Sequence, residues 1–169
     1  MALEPPLPNA QRIRLLTCDV DGVLTDGRIY LDDDGREQKA FNALDGVGLK
    51  LLMQAGITVA WITGSRAPVV LHRARSLGVE RVIQGAEDKL TPWEALLREL
   101  DLPPSACAHI GDDLPDVPLL ARCGLAVSVP HAPAAVKAHA HFVTQREGGM
   151  GAVRELCEMI LAARSSMTS

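Results

Sequence analysis

Aromatic side chains are scarce in this sequence. Only Tyr30, Phe41, Trp61, Trp93 and Phe142 are aromatic among 169 residues. That is too few for the stacking platforms on which single-stranded nucleic acids are bound. There is also no block of Lys and Arg, and 17 basic against 21 acidic residues leave a net charge of -4. Such a chain has no electrostatic footprint for nucleic acid or for anionic membrane. No apolar run approaches the roughly 20 residues of a membrane-spanning helix. The opening Met-Ala-Leu-Glu-Pro-Pro-Leu-Pro lacks a basic segment followed by an apolar stretch. Residues 1–11 therefore read as a short disordered lead and not as a signal peptide. The cysteines Cys18, Cys107, Cys123 and Cys157 form no C-x-x-C pair. They are expected to be buried, reduced thiols of a cytoplasmic protein. His131, His139 and His141 have no Cys or Asp partner at zinc-like spacing and read as surface residues. His109, inside an apolar run, reads as a satisfied core residue.

What is present is an alternation of short apolar runs and helical periods. A chain 47% hydrophobic and 22% charged supports one globular domain with a sizeable core, placed here at 12–164 with a tail at 165–169. Buried strands are predicted at 13–18, 57–62, 81–84, 106–110 and 125–129, with a short edge at 142–143. Helices are predicted at 45–55, 68–77, 89–100 and 151–163, with shorter ones at 115–122 and 133–140. Gly56 and Gly78 serve as stops, and Pro68 fits a first turn. Strands alternating with helices imply an α/β fold, a doubly wound parallel sheet covered on both faces. One segment breaks the pattern. The pieces 28–31 and 38–41 flank Asp32-Asp33-Asp34-Gly35 and read as a small β-hairpin around a solvated turn. No large cap domain fits in the remaining loops.

Polar residues follow four of the apolar runs: Asp19 and Asp21, then Thr63 and Gly64, then Lys89, then Gly111, Asp112 and Asp113. In a parallel sheet these positions share the carboxyl edge, where open α/β folds bind ligands. Carboxylates supply hard oxygen ligands for Mg2+. Lys89 supplies a positive charge, and Thr63 a hydroxyl donor. Phosphoryl transfer needs mainly positioning and charge neutralisation. No Ser-His or Cys-His pairing competes with an Asp carboxylate for the nucleophile role.

Taken together, Asp19-Val20-Asp21-Gly22-Val23-Leu24-Thr25, Ile62-Thr63-Gly64, Lys89 and Gly111-Asp112-Asp113-x-x-Asp116 resemble the four motifs of the haloacid dehalogenase superfamily, in order. The resemblance implies a Rossmann-like domain in which Asp19 is the nucleophile and a Mg2+ ligand. It implies that Asp21 is the general acid/base and binds the metal through its carbonyl. Thr63 and Lys89 would hold the phosphoryl oxygens, and Asp112 would complete the metal ligands. Asp113 and Asp116 would orient Asp112 and Lys89 from behind.

A narrower resemblance spans about 13–161. It adds the hairpin, Lys39-Ala40-Phe41-Asn42 with Asp45-Gly46, Gln84-Gly85, and Gly148-Gly149-x-Gly151-Ala152-Val153-Arg154-Glu155. These segments are similar to the 3-deoxy-D-manno-octulosonate 8-phosphate phosphatases of bacterial lipopolysaccharide synthesis. The resemblance implies a cytoplasmic homotetramer acting on a small phosphorylated sugar acid, in which hairpins and C-terminal segments help build neighbouring sites. It implies substrate contacts from Asp21, Asn42, Asp45, Gly46, Lys50, Gly64, Ser65, Arg66, Arg73 and Lys89. Family members often carry Arg where Ser65 stands and a basic residue where Leu44 stands.

Blander readings stand beside these. Asp45 also reads as a helix N-cap, Arg66 and Arg73 as a solvated helix face, and Gly148 to Gly151 as either an anion-binding backbone or a turn. Three other functions remain open. One is a phosphatase for another acidic sugar, such as a sialic-acid-type 9-phosphate. Another is a superfamily domain kept for assembly, which would have lost Asp19 or Asp21. The last is a receiver-like signalling domain, whose acidic pair and phosphorylated Asp come in a different order along the chain.

Overall fold

The structure, a computed structural model, describes residues 9–167. Six parallel strands form one sheet: β1 (Leu15–Cys18), β4 (Thr58–Ile62), β5 (Arg81–Ile83), β6 (Cys107–Ile110), β7 (Leu125–Ser128) and β8 (Phe142–Val143), in the spatial order β5-β4-β1-β6-β7-β8. A separate antiparallel hairpin pairs β2 (Tyr30–Leu31) with β3 (Glu37–Gln38). The helices are α1 (Ala43–Gln54), α2 (Pro68–Leu77), α3 (Leu90–Glu99), α4 (Val117–Leu120), α5 (Ala134–Lys137) and α6 (Ala152–Ser165). No helix among the described residues is long and apolar enough to cross a membrane.

The strands of the sheet centre are buried throughout, as continuous apolar runs in a parallel sheet must be. Side chains alternate between the faces. Thr17 of β1 turns toward Cys107 and His109, on the side where the Trp93 indole of α3 reaches Cys107 Sγ at 3.3 Å. Cys18 turns the other way, toward Cys157 of α6 and Asp45 of α1. All four cysteines are free and buried. Burial pushes their thiols up, Cys107 to about 11.

Local signals set most element ends. Pro68 opens α2 and Gly78, at φ 82°, closes it. The first helix starts two residues before its expected start, because the Asn42 side chain accepts from the Leu44 N–H and takes the cap position. Asp45 therefore caps nothing in its own helix. Its carboxylate instead accepts the Arg154 N–H at 2.9 Å and closes the N-terminus of α6. Burial pushes the Asp45 carboxyl up, while backbone N–H groups of Arg154, Gly151 and Val153 and the charge of Arg146 oppose that shift. The expected 115–122 helix splits into a 3-10 turn (Leu114–Asp116) and the short α4. Within the segment assigned to the lead, Ala10–Arg12 forms a 3-10 turn, and the Asn9 amide donates to Gly124 O at 3.0 Å. Residues 1–8 of that lead and 168–169 of the tail lie outside the described residues.

The Gly148-Gly149 turn is neither open nor aimed at solvent. Gly149 N–H donates to Val23 O at 3.0 Å, and the Asn42 amide donates to Gly149 O at 3.1 Å. A Cβ on Gly148 would lie 1.9 Å from Gly22 O. This turn is a wedge against the loop that follows β1. Gly148→Ala should cost about 1–3 kcal/mol by overpacking, and a domain of this size loses about 2–4 °C of melting temperature per kcal/mol. Urea unfolding of the variant checks this. An unchanged midpoint would mean that the two loops do not touch in solution.

Candidate active site

Four strand ends deliver the polar residues to one cavity of about 500 Å3. It is lined by Asp19, Asp21, Thr63, Gly64, Ser65, Lys89, Asp112, Asp113 and Asp116, together with Gly27, Ala86, Glu87 and Pro115. The cavity thus collects all the residues singled out for the metal and the phosphoryl group, and four of those assigned to the substrate, Asp21, Gly64, Ser65 and Lys89.

Each is held by local chemistry. Asp19 leaves β1 with its N–H on Ile110 O at 3.1 Å, so β6 fixes its height. Lys89 stands at the start of α3, pinned by its neighbour Asp88, which accepts from Leu90 N–H at 2.9 Å and from the Thr91 hydroxyl at 2.6 Å. Thr63 is buried, and its Oγ1 accepts the Ser65 N–H at 3.1 Å, which folds the loop after β4 back on itself. Gly22 has φ 85°, and a Cβ there would lie 1.9 Å from Asp112 Oδ2. Both the backbone conformation and the space demand glycine. Gly111 is similarly crowded, its notional Cβ 2.3 Å from Asp116 Cγ.

The floor of the cavity is a buried ionic cluster. Lys89 Nζ donates to Asp19 Oδ1 at 2.8 Å and to Asp116 Oδ1 at 2.9 Å. Asp116 also takes His109 Nε2 at 2.9 Å and, through Oδ2, the N–H groups of Asp112 at 3.1 Å and Asp113 at 3.3 Å. Burial alone would raise the Asp116 carboxyl, but its bonds to His109 and Lys89 overcome this and hold it down at about 2. Asp19 goes the other way. Burial and the nearby Asp116 push it well above the carboxylate range, and Lys89 only partly offsets them. Burial likewise pushes Asp112 up to about 6. Lys89 itself is raised, since the attraction of Asp19 and Asp116 exceeds the cost of burial.

Buried carboxyls whose ionised form lacks a sufficient counter-charge suit a cation. Asp19, Asp112 and Asp116 each place a ligand oxygen within 4.8 Å of the others. Asp116 already has its acceptor positions occupied by four donors, so it is the least available of the three. Asp19 and Asp112 fit a hard divalent ion, and the donor set is all oxygen, as Mg2+ requires.

Two contacts at the rim were not foreseen. Lys39 Nζ, just after β3, donates to Asp21 Oδ1 at 2.6 Å and lies 3.2 Å from Glu37. His131 brings Nε2 to 3.4 Å from Asp112 Oδ2 and Nδ1 to 2.6 Å from Glu147 Oε2. The sequence carries Lys39 in a family-like run, but no periodicity shows that the hairpin folds it over Asp21. His131 gives no signal at all, because its partners are 19 and 16 residues away.

The remaining residues assigned to the substrate lie elsewhere. Asn42, Asp45, Gly46 and Arg73 gather with Phe41, Trp61 and Leu77 around a crevice too narrow for water. There Phe41 stacks on Trp61 with centroids 6.1 Å apart, and the Arg73 guanidinium sits 5.9 Å over the Phe41 ring. A Cβ on Gly46 would lie 2.6 Å from Arg73 Nη2, so that glycine makes room for the guanidinium. Within one chain these four residues buttress the hairpin exit and do not line the cavity. Arg66 packs its guanidinium against Gly85 and borders a second cavity with Arg36, Glu37 and His72. Lys50 is exposed on α1.

The pKa directions set a stability profile for the cation-free protein. Asp112 is raised, so its contribution is complete below about pH 4 and is lost as pH rises through about 6; Asp19 adds in the same sense. Asp116 is lowered, so its contribution is present above about pH 4 and fades toward about 2. The melting temperature measured in EDTA should therefore fall between pH 5 and pH 7. Millimolar Mg2+ should raise it more at pH 7.5 than at pH 5, since binding must displace the protons. Equal Mg2+ shifts at both values would contradict a carboxylate site of this kind.

The comparisons agree with this geometry. Residues 78–156 match a family model described as haloacid dehalogenase-like hydrolase. The 3-deoxy-D-manno-octulosonate 8-phosphate phosphatase of Yersinia pestis is 47% identical over 161 residues, covering 95% of this chain and 86% of that protein. The protein of the same name from Escherichia coli strain K12 is 42% identical over the same shares. The crystal structure of the Moraxella catarrhalis phosphatase, a complex with magnesium, phosphate and 3-deoxy-D-manno-octulosonate (KDO), superposes with a TM-score of 0.91 at 44% identity, covering 95% of this chain and 92% of that one. With relatives this similar over nearly its whole length, the chain belongs to the 3-deoxy-D-manno-octulosonate 8-phosphate phosphatase family of haloacid dehalogenase-like hydrolases.

Proposed function

We propose that this chain is a Mg2+-dependent phosphatase that hydrolyses 3-deoxy-D-manno-octulosonate 8-phosphate to the free sugar acid and phosphate. The observation that carries the reading is the buried carboxylate of Asp19, facing the cavity with one oxygen held by Lys89. That tether leaves the other oxygen to attack phosphorus.

In the first half-reaction Asp19 forms a bond to phosphorus and the sugar oxygen leaves with its electron pair. Asp21, held by Lys39 at the mouth of the cavity, gives that oxygen a proton. In the second half, Asp21 takes a proton from water, which attacks the aspartyl-phosphate and restores Asp19. Thr63 and Lys89 stabilise charge on the phosphoryl oxygens. Asp19, Asp112 and the carbonyl of Asp21 would hold Mg2+. The ion supplies charge neutralisation for a dianionic phosphate beside ionised carboxylates. Asp113 caps the turn that carries Asp116, and Asp116 orients Lys89.

The same reading includes a homotetramer in the cytoplasm. The hairpin is the only insert between β1 and α1, and it is too small to roof the cavity. It exposes Ile29, Tyr30 and Leu31, while α1 exposes Leu44, Val47 and Leu51. Apolar surface of that kind fits burial against another subunit, which would also exclude water from the reaction. The four free thiols suit a reducing compartment.

Phosphate release tests the chemistry across a panel: the octulosonate 8-phosphate, a sialic acid 9-phosphate, hexose phosphates and p-nitrophenyl phosphate. The octulosonate should be preferred. EDTA and Asp19→Asn should each abolish turnover, and Asp21→Asn should lower kcat by about 10²–10⁴-fold. Equal rates on every ester would discard the named sugar, and preference for the 9-phosphate would replace it. Light scattering tests the assembly: a fully active monomer would sink the tetramer.

A further inference from the structure

Thr17, His109, Asp116, Lys89 and Asp19 form one buried ring of hydrogen bonds. Thr17 Oγ1 lies 2.8 Å from His109 Nδ1, and His109 Nε2 lies 2.9 Å from Asp116 Oδ1. The same Asp116 oxygen holds Lys89 Nζ at 2.9 Å, and Lys89 Nζ holds Asp19 Oδ1 at 2.8 Å. The backbone closes the ring, since Thr17 is in β1 and Asp19 directly follows that strand. The sheet register puts Thr17 directly beside His109 in the neighbouring strand. Thr17, His109 and Asp116 are completely buried, and Asp19 and Lys89 nearly so.

We infer that His109 is a positioning residue of the phosphoryl site, whose Nε2–H fixes Asp116 and thereby Lys89. Asp116 already accepts from Lys89 and from the N–H groups of Asp112 and Asp113, so it faces His109 as an acceptor and the ring nitrogen there carries the hydrogen. The other nitrogen faces the Thr17 hydroxyl at 2.8 Å. The other groups near that hydroxyl, Ala108 O at 3.4 Å and Cys107 Sγ at 3.7 Å, are both more distant. Thr17 therefore holds the ring in place from behind.

The consequence for Lys89 is geometric. Its ammonium must sit between Asp116 and Asp19 and still present its third hydrogen to the phosphoryl group. Asp116 is free to rotate about χ1 and χ2 unless both its oxygens are tied. The N–H groups of Asp112 and Asp113 tie Oδ2, and His109 and Lys89 meet on Oδ1. Without His109, Oδ1 keeps only the flexible lysine, and the pair drifts together. A displacement of about 1 Å at a reacting group can cost about a hundredfold in rate.

The inference rests on the phosphatase reading, and the test separates the two. The protein is studied loaded with Mg2+. His109→Leu should lower kcat about tenfold to a hundredfold, with KM changed less than about threefold, at temperatures where the variant remains folded. His109→Gln, whose amide can still donate to Asp116, should recover most of that loss. Thr17→Val, nearly isosteric, should lower kcat by a few-fold. Imidazole 15N NMR of the wild type should show His109 protonated on Nε2. Lys89 ammonium protons should be protected from exchange in the wild type and lose that protection in His109→Leu. Wild-type kcat in a folded His109→Leu, or a bare Nε2 in the wild type, would overturn the inference. If His109→Leu does not fold, Thr17→Val, His109→Gln and the wild-type spectrum decide it. If the wild type releases phosphate from no ester, the phosphatase reading fails. The Nε2 hydrogen and the Lys89 protection then still show whether His109 positions Lys89.

Discussion

One ammonium group shared between two buried carboxylates organises this protein. Lys89 stands between Asp19 and Asp116, and each partner belongs to a different strand-end loop. A buried charge without partners costs several kcal/mol, and breaking such a pair by removing one member is strongly destabilising. The loops after β1 and β6 and the start of α3 are therefore tied to one point. The rest of the site follows from that tie. Asp116 becomes an ionised anchor with every acceptor position used. Asp19 and Asp112 are left crowded, poorly neutralised and able to take a cation. The strain of the site lies in those two carboxylates, which is where phosphoryl chemistry needs negative charge to be concentrated and then offset.

A second set of contacts holds the loop after β1 from the opposite side of the sheet. Asp45 closes the first turn of α6, Asn42 grips Gly149, and Gly148 presses on Gly22. The hairpin exit, the C-terminal helix and the loop carrying Asp21 thus form one unit. Residues that the family resemblance assigns to the sugar acid, Asn42, Asp45, Gly46 and Arg73, are the bricks of that unit within a single chain. Their packing keeps the mouth of the cavity in shape, and the hairpin's Lys39 reaches Asp21 from the same framework.

Much of this was legible beforehand. Pro68 and Gly78 bounded α2 to the residue, and 142–143 was read as a strand as it stands. Continuous apolar runs announced a parallel sheet, and polar residues after four of them announced a single crevice. Where boundaries slipped, a side-chain bond had moved them. Asn42 started α1 early, and the Asp113 cap turned the expected helix into a 3-10 turn before α4. Asp45 was read as a substrate contact or as the cap of its own helix, and within the chain its carboxylate caps a helix more than 100 residues away.

Sequence alone determined the kind of chemistry present: which residues carry charge, which can only be buried, and at which strand ends the acids fall. These are properties of side chains and of short spacings, and both are written in the chain. Only the tertiary structure decided which charges are neutralised and by whom. His109 is the satisfied core residue that its apolar run implied, and it meets Thr17 because β6 lies beside β1 in one register. His131 meets Asp112 because the loop after β7 runs beside the loop after β6. Such pairings depend on strand order and on angstrom-scale distances between segments far apart in the chain. No local pattern encodes them, because the hydrophobic burial that brings the segments together is itself indifferent to which polar atoms will meet.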